Sequence, residues 1–472
     1  MKCGLRLRSL MFLVGTFGMA DAAVAQPVPI DLGTLGGTYS FSRDVNDRGQ
    51  VVGDGGTAGN AANHAFVWSA TSGMVDLGTL GTSSRAFFVN DRGQVVGDSD
   101  TTVSSEPHAF VWTATSGMVD LGTLGGTFSS AHAVNEHGQV VGTSSTGVSA
   151  HAFSWTATGG MVDLTPGSFG SDALGVNDLG QVVGSNITTA GVTHAFLWTP
   201  TEGMVDLGTL GGVSYAIAIN NSGQVIGHSQ ISPTGDFHAF SWTAANGMVD
   251  LGTLGGPSSG PSAINDQGQV VGTADVVSDS GPRPHAFLWT SADGMVDLGT
   301  LGGLLSSASA VNSSGHVVGV SLTAGNTSSR GFVWTPAEGM VELVPVGGRA
   351  SSYAVGINNR GEVAGVSYNP GFPVPTANIR ATMWRLVADA QQQLEDAIAV
   401  IASWNLRTLG TSLPAKLEIA REFEAAGATR QACQMLNSFL NEVRAQNGKQ
   451  LTVDQATELT DRAIRIQHAI GC

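Results

Sequence analysis

A chain of 472 residues with 42% hydrophobic content is long enough to bury a large core. Its 65 glycines and 12% charged residues indicate a turn-rich β protein, because the recurring Trp, Phe and Val provide surface that can be buried. The formal net charge is −16, and residues 26 to 384 contain nine arginines, no lysine and 26 acidic residues. Since affinity for nucleic acid comes largely from neutralising phosphates, this acidic region excludes nucleic acid as a partner.

The first 25 residues have the parts of a secretory signal peptide. Basic residues precede an apolar run from residue 9 to residue 20, and Ala23-Val24-Ala25 forms a small-residue cleavage site. We therefore expect residues 1–25 to be removed and the exported protein to begin at Gln26. No later run reaches the ~20 apolar residues that a membrane-spanning helix needs, so no transmembrane segment is predicted.

One unit of sequence recurs eight times between residue 28 and about residue 386. It contains the motifs His-Ala-Phe-x-Trp, Met-Val-Asp-Leu-Gly-Thr-Leu-Gly-Gly and Asn-x-x-Gly-x-Val. Its tryptophans, which we interpret as the core of the repeat, are Trp68, Trp112, Trp155, Trp198, Trp242, Trp289, Trp334 and Trp384. They lie 44, 43, 43, 44, 47, 45 and 50 positions apart, and a repeat of this length is typical of propeller blades.

The pattern of each repeat predicts four short strands. Examples are 215–220 for the first, 224–226 for the second, 194–198 for the third and 204–207 for the fourth. Large and small side chains alternate in His-Ala-Phe-Leu-Trp, which is the period of a strand. The Asn-x-x-Gly motif suits a hairpin with a type I turn and a bulge. We predict an all-β, eight-bladed β-propeller, with a β-solenoid as the main alternative.

The two ends of the repeat region favour a closed ring. The chain enters it with a lone fourth strand at 29–32, and the last repeat stops at its third strand, 381–384. Together these parts complete one blade and leave no unpaired edge. We predict that residues 351–386 and 28–35 form the eighth blade, so that the propeller occupies residues 26–386.

The connections between the second and third strands, such as 54–63 and 98–107, differ in every repeat, whereas the hairpin turns vary little. Variable loops on a uniform frame indicate binding, although unselected drift in exposed loops is the alternative. The candidate binding residues are Asp236 and Phe237 in connection 228–237, and Tyr368 and Phe372 in connection 366–379. We predict a non-enzymatic protein whose ligand is a surface glycan or a protein.

Six histidines recur at the start of the third strand: His64, His108, His151, His194, His238 and His285. Equivalent positions on different blades are too far apart to share one metal ion, and Arg330 and Arg380 replace the histidine in two repeats. We therefore predict hydrogen-bond donors to a neighbouring strand or to the Asp segment, with no metal and no cofactor. The recurring Asp, such as Asp76, is predicted to accept a hydrogen bond within its blade.

The alternative function is an extracellular enzyme acting on polysaccharide. It would use non-repeated carboxylates at the mouth of the channel, such as Asp172 or Asp236. We call the Asn of each Asn-x-x-Gly-x-Val motif the landmark Asn. Three positions before it, the inner strand also varies: Arg43, Phe87, His132, Leu174, Ile217, Ser262, Ser309 and Val355. These side chains either shape a pocket in the channel or pack between blades, and the pattern favours packing.

Residues 387–472 have the periodicity of helices. Leu436, Phe439, Leu440 and Val443 form one apolar stripe, and a second stripe runs from Ala456 to residue 470. Two antiparallel helices would bring Cys433 beside Cys472, and an isolated pair in an exported protein predicts a disulfide. Closing this loop is expected to stabilise the tail by roughly 3 to 4 kcal/mol.

The repeat motifs resemble those of the HAF family of probable extracellular bacterial repeats, over residues 28 to about 386. Arg330-Gly331-Phe332-Val333-Trp334 and Arg380-Ala381-Thr382-Met383-Trp384 depart from the pattern. The tail, from about residue 389, resembles the small helical FIMAH domain in Cys433-x-x-Leu436-x-x-Phe439 and Ile470-Gly471-Cys472. The resemblances imply a bacterial protein that is secreted or held at the cell surface, and they supply no catalytic residues.

Overall fold

The computed structural model describes residues 27–102, 106–233, 235–370, 378–386, 390–404, 412–426, 428–470 and 472. Within these ranges, the strands form eight four-stranded antiparallel sheets around a central channel, and four helices follow them. The predicted eight-bladed β-propeller with a small helical region is confirmed. The predicted signal segment and its cleavage site lie outside the described residues.

In the first seven blades, four consecutive strands pair in chain order from the channel outward. Blade 1 contains β2 (Gly36–Val45), β3 (Val51–Thr57), β4 (Asn63–Ser69) and β5 (Gly73–Asp76). Blade 2 contains β6 (Ser84–Val89), β7 (Val95–Asp100), β8 (Pro107–Thr113) and β9 (Gly117–Asp120). Blade 3 contains β10 (Ser129–Val134), β11 (Val140–Ser145), β12 (Ala150–Thr156) and β13 (Gly160–Asp163). Blade 4 contains β14 (Ser171–Val176), β15 (Val182–Ile187), β16 (Thr193–Thr199) and β17 (Gly203–Asp206).

The remaining blades repeat this arrangement. Blade 5 contains β18 (Ser214–Ile219), β19 (Val225–Gln230), β20 (Phe237–Thr243) and β21 (Gly247–Asp250). Blade 6 contains β22 (Gly255–Ile264), β23 (Val270–Val276), β24 (Arg283–Thr290) and β25 (Gly294–Asp297). Blade 7 contains β26 (Gly302–Val311), β27 (Val317–Thr323), β28 (Ser329–Thr335) and β29 (Gly339–Leu343). Blade 8 contains β30 (Ser351–Ile357), β31 (Glu362–Tyr368), β32 (Arg380–Arg385) and, as its outer strand, β1 (Val28–Asp31).

The outer strand of blade 8 comes from the other end of the repeat region, as predicted. β1 runs antiparallel to β32, with Ile30 opposite Met383 and Asp31 opposite Thr382. Met383 is fully buried and packs in one cluster with Leu32 and Ile30. The ring is therefore closed by backbone hydrogen bonds and by an apolar contact between distant parts of the chain.

Phenylalanines of the third strands form the deepest part of the blade cores. Seven of them are at most 1% exposed: Phe66, Phe110, Phe153, Phe196, Phe240, Phe287 and Phe332. Of the predicted core tryptophans, Trp68 and Trp384 are buried, and the other six pack partly exposed at the edges of the clusters. Each cluster joins two neighbouring blades, as Phe110 of blade 2 packs with Val52 and Ala65 of blade 1, so the Phe of His-Ala-Phe-x-Trp is buried between blades and its Trp packs against the same cluster.

Each second strand contains a glycine after two apolar residues, most often two valines, and a close backbone approach requires it. A Cβ atom on Gly97 would lie 1.9 Å from the carbonyl oxygen of Arg85, and one on Gly142 would lie 2.0 Å from that of Ser130. No side chain fits at such distances. The Val-Val-Gly motif therefore reflects the path of the neighbouring inner strand.

Two faces of the ring differ in the connections they carry. The Asn turns are type I turns with a bulge, as predicted: Gly49 has φ +73°, its N–H donates to the Asn46 carbonyl, and the Asn46 N–H donates to the Gln50 carbonyl. These turns share one face with the turns between third and fourth strands, and we call it the turn face. The opposite loop face carries the links between blades and the loops between second and third strands.

The second and third strands extend further toward the loop face than predicted. The expected connection 98–107 shrinks to 101–106, because Asp98 pairs with Ala109 and Asp100 pairs with Pro107. Asp54 and His228 are likewise strand residues. These ends are polar because side chains such as Asp54 and Asp98 are buried in ion pairs with arginines rather than in apolar contacts.

The C-terminal residues form four helices: α1 (Ala390–Ser403), α2 (Ser412–Ala425), α3 (Thr429–Gln446) and α4 (Val453–Ile470). The predicted stripes of α3 and α4 are buried together, including Leu436, Phe439 and Leu459. The sulfur atoms of Cys433 and Cys472 are bonded, at 2.04 Å. Among the described helices, none is both long and apolar enough to cross a membrane.

Candidate ligand-binding site

A closed ring of asparagines holds the turn face together. The Nδ2 atom of each landmark Asn donates to the backbone carbonyl of the landmark Asn in the next blade, and Asn358 of blade 8 donates to Asn46 of blade 1. The eight donor–acceptor distances lie between 2.8 and 3.1 Å. Each Oδ1 also accepts two backbone N–H groups of its own turn, as in Asn220 with Ser222 and Gln224. This side chain is therefore structural in all eight blades.

The recurring histidines clamp the third strand to the fourth. In six blades the histidine Nδ1 lies 2.8 to 3.0 Å from the recurring carboxylate, as in His64 with Asp76 and His108 with Asp120. In the two blades without histidine, Arg330 lies 2.5 Å from Glu342, and Arg380 lies 3.8 Å from Asp31. The donor can change from His to Arg, so the repeated pair is a cross-link within the blade.

Each inner strand contains a β-bulge three positions before the landmark Asn. In blade 2 the register shifts between Ala86 and Phe88, so that Phe87 has no residue opposite it. The residues at this position are Arg43, Phe87, His132, Leu174, Ile217, Ser262, Ser309 and Val355. All eight are at least partly exposed on the strand nearest the channel. The bulge leaves these side chains without a cross-strand partner on the innermost strand, and Val355 packs against the apolar cluster shared by blades 8 and 1.

Blades 1 and 2 place two arginines, Arg43 and Arg85, on their inner strands. Arg43 Nε donates to Asp54 over 2.9 Å, and Arg85 donates through Nε and Nη2 to both oxygens of Asp98, each over 3.1 Å. The carboxylate side chains are only 7% exposed, whereas the arginine side chains are 42% and 49% exposed. Burial raises the pKa of Asp98, and Arg85 offsets part of that rise. The carboxylates thus fix two guanidinium groups that reach solvent.

Phe87 separates the two guanidinium groups. The Arg43 guanidinium carbon lies 5.5 Å from the centroid of the Phe87 ring, and that of Arg85 lies 5.8 Å away. Such cation–π contacts stabilise the positions of both arginines. Among the described residues, Arg43 Nη1 and Nη2 and Arg85 Nη1 have no hydrogen-bond partner. The pair presents free donors from a rigid base.

Blade 3 contributes His132, whose Nδ1 lies 3.1 Å from Asp172 of blade 4 and 3.0 Å from the Ala173 carbonyl. Both partners are acceptors, so Nδ1 carries the hydrogen. Burial lowers the pKa of His132, but the hydrogen bond and charge of Asp172 outweigh it and the pKa is raised. Burial raises the pKa of Asp172, yet His132 and the Thr143 hydroxyl hold it below its ordinary value. We call Arg43, Asp54, Arg85, Phe87, Asp98, His132 and Asp172 the polar arc.

Aromatic side chains flank the polar arc on both sides. In blade 8, the rings of Tyr353 and Tyr368 have centroids 6.3 Å apart, and Tyr368 shares a 2.6 Å hydrogen bond with Ser329. Burial raises the pKa of Tyr353, and the charge of Arg43 opposes this. In blade 5, the His228 ring lies 5.2 Å from the rings of both Tyr215 and Phe237.

The four predicted binding residues therefore have different positions. Phe237 and Tyr368 begin or end strands at the loop face and join aromatic clusters. Asp236 is exposed in the loop before the third strand of blade 5, away from the innermost strand. Phe372 lies outside the described residues.

An open cavity of about 530 Å³ lies within the ring of Asn turns at the turn face. Its rim carries carboxylates that bond from blade to blade: Asp91 accepts from the Asp47 N–H over 2.7 Å, and Glu136 accepts from the Asp91 N–H over 2.8 Å. Burial and neighbouring carboxylates raise the pKa values of Asp91 and Glu136. Across the described part of the chain, no three metal-ligating side chains are grouped to hold an ion.

Asp44 is the acidic residue that sequence reasoning missed. Burial raises its pKa to about 6, although the backbone N–H groups of Val45 and Val89 donate to its carboxylate. Its counterparts in the other seven repeats are all apolar or glycine: Phe88, Ala133, Gly175, Ala218, Ala263, Ala310 and Gly356. Comparing the repeats position by position reveals it. Asp54 and Asp98 were likewise obscured because the sequence assigned them to loops.

Comparisons with solved structures give matches of low sequence identity. No protein-family model and no curated protein matches the chain. Dipeptidyl peptidase 4 from Porphyromonas gingivalis is 9% identical, with 73% of this chain and 59% of that one covered and a TM-score of 0.49. The β-propeller domain of the Trilobed protease from Pyrococcus furiosus is 9% identical, with 66% and 99% covered and a TM-score of 0.40. TolB from Acinetobacter baumannii is 10% identical, with a TM-score of 0.34; the match covers 52% of this chain and 62% of TolB, less than two thirds of that protein.

Proposed function

We propose that this chain is an exported, non-enzymatic binding protein of the HAF type, which holds a surface glycan or a protein at the loop-face mouth of its channel. One observation carries the proposal. Side chains that differ between blades, including Arg43, Phe87 and His132, lie on the inner strands on the loop-face side of the Asn ring, whereas the turn face repeats the same asparagine in every blade. A uniform frame with one non-uniform surface is the arrangement expected of a binding protein.

The frame suits binding because it holds the contact residues before the ligand arrives. The Asn ring and the buried carboxylates Asp54 and Asp98 fix the inner strands and the arginines. Pre-organised side chains lose little conformational entropy on binding, and this favours affinity. The signal-like N-terminus, the Cys433–Cys472 disulfide and the FIMAH-like tail support export, with the tail serving as a docking or attachment module.

The experiment is a glycan array and a protein array probed with the full-length mature protein. One loop-face variant combines His228→Ala with Phe237→Ala, and the other carries Tyr368→Ala alone. Both are compared with Leu179→Ser on the turn face, where Leu179 is 65% exposed. We expect loss of captured ligand for at least one loop-face variant and retention for Leu179→Ser. No ligand on either array, or equal loss in the turn-face variant, contradicts the proposal.

Hydrolysis is the second candidate, favoured by the His132–Asp172 pair. His132 Nε2 has no hydrogen-bond partner among the described residues, and Nδ1 is held by Asp172, which is how a general base is oriented. Asp172 itself is occupied by His132 and Thr143, so it suits positioning better than the direct carboxylate chemistry expected from the sequence. Turnover on a polysaccharide panel that falls at least about 100-fold in Asp172→Asn would favour this candidate.

A further inference from the structure

We infer that the polar arc is a subsite for a neutral, polyhydroxylated saccharide, bound through the Arg43 and Arg85 guanidinium groups and through His132 Nε2. The inference rests on the proposed function and names the ligand class and the residues that bind it. The arc spans four adjacent blades, from Arg43 in blade 1 to Asp172 in blade 4, and differs from the equivalent positions of blades 6 and 7, where Ser262 and Ser309 occupy the bulges.

The arginines supply donors in fixed positions. Their Nε atoms, and Arg85 Nη2, are used by the buried carboxylates, which leaves Arg43 Nη1 and Nη2 and Arg85 Nη1 for a ligand. Phe87 holds the two guanidinium carbons 5.5 and 5.8 Å from its ring centroid. Two such groups can donate to neighbouring oxygens on one sugar ring, or to oxygens on adjacent rings.

His132 selects hydroxyl groups. Because Nδ1 donates to Asp172 and Ala173, Nε2 is an acceptor when the ring is neutral and a donor when it is protonated. The hydrogen bond and charge of Asp172 raise the pKa of His132, which favours the protonated ring. A hydroxyl group both donates and accepts, and therefore pairs with Nε2 in either form, whereas a carboxylate pairs only with the protonated form.

The charges also favour a neutral ligand over an acidic one. Each cation of the arc has its own carboxylate: Asp54 for Arg43, Asp98 for Arg85 and Asp172 for His132. The surrounding residues 26 to 384 have 9 arginines against 26 acidic residues, and 9 − 26 gives a formal charge of −17. An acidic saccharide would meet no excess positive charge at the arc and a repulsive field around it.

The test is calorimetric titration of the full-length mature protein with two matched panels. One contains neutral cello-, xylo-, manno- and laminari-oligosaccharides, and the other contains oligogalacturonate and oligomannuronate. The main variant combines Arg85→Leu with Asp98→Leu, so that no buried charge is left unpaired. Arg92→Ala, in the turn-face hairpin of the same blade, is the control, and Phe87→Leu is a second variant that leaves every ion pair in place.

We expect a neutral oligosaccharide to bind, with affinity at least about tenfold weaker in the double variant and in Phe87→Leu, and within about twofold of wild type in Arg92→Ala. Wild-type affinity should change less than about threefold between pH 5.5 and 8.5, because hydroxyls pair with both forms of His132. Tighter binding of the acidic panel, especially at low pH, would overturn the inference.

Two further outcomes separate the inference from the proposed function. If a saccharide or protein binds and is lost in the His228→Ala and Phe237→Ala variant but not in the arc variants, the inference is wrong and the proposed function stands. If neither the saccharide panels nor the arrays yield a ligand, the inference and the proposed function are both wrong.

Discussion

The two mouths of the channel are built from the same eight inner strands, yet their side chains follow opposite patterns. At the turn face, every blade presents Asn at the same position, and each Asn bonds to the next blade until Asn358 returns to Asn46. On the loop-face side of this ring, the bulge positions are occupied by Arg43, Phe87 and His132 in adjacent blades and by smaller or aliphatic residues elsewhere. A side chain that every blade needs is structural, whereas one that a few neighbouring blades share is a candidate for function.

The histidines show the same difference within one residue type. His64 and Asp76 form one of six equivalent pairs, and Arg330 with Glu342 replaces such a pair in blade 7. His132 and Asp172 have similar chemistry, but they join two different blades at the channel. Position in the ring, rather than the residue pair itself, distinguishes a cross-link from a candidate ligand contact.

The largest expected effect comes from breaking the Asn ring. Asn220→Ala removes a buried donor to the Asn265 carbonyl and a part-buried acceptor for two backbone N–H groups. We expect a loss of about 2 to 4 kcal/mol in the free energy of unfolding, measured by denaturant titration. The neighbouring Asn221→Ala, at an exposed position, should cost less than about 1 kcal/mol. Equal losses of unfolding free energy in the two variants would show that the Asn ring does not stabilise the fold more than an exposed asparagine does.

Asp44 predicts an unusual dependence of stability on pH. Its pKa of about 6 in the folded protein exceeds the ordinary 3.8, so the protonated form stabilises the fold. This contribution is complete below pH 3.8 and is lost as the pH rises through 6. The free energy of unfolding of Asp44→Asn should therefore exceed that of wild type by about 1 to 3 kcal/mol at pH 7.5 and by little at pH 4. A variant with the same melting temperature difference at both pH values would contradict the assignment.

The smallest effect is expected for exchanging a repeated pair. His194→Arg with Asp206→Glu reproduces in blade 4 the pair that blade 7 already has, and should change the free energy of unfolding by less than about 1 kcal/mol. Ligand affinity should stay unchanged. The same exchange at His132 and Asp172 should instead weaken ligand binding, because it alters the group that faces the channel. If both exchanges behave alike in the binding assay, the distinction between the pairs fails.

Much of the fold could be predicted because each blade repeats the same local rules. Alternation in the third strand, the Asn-x-x-Gly turn and the split last repeat were sufficient for eight closed blades. The bulge could not be found this way, since Phe87 and Phe88 look alike in sequence and only the register shows which lacks a partner. The Arg85–Asp98 pair depends on cross-strand register, and His132–Asp172 depends on contact between blades, so neither follows from spacing along the chain.

Hydrogen–deuterium exchange with and without a bound ligand tests the central claim most directly, because both mouths are read in one experiment. With a ligand identified on the arrays, we predict slower exchange in the loop-face parts of blades 8, 1, 2 and 3, including residues 39–43, 83–87 and 351–355. The Asn turns at 46–50, 90–94 and 135–139 should exchange at unchanged rates. Protection centred on those turns, with none at the bulges, would contradict the assignment of the loop-face mouth as the binding site.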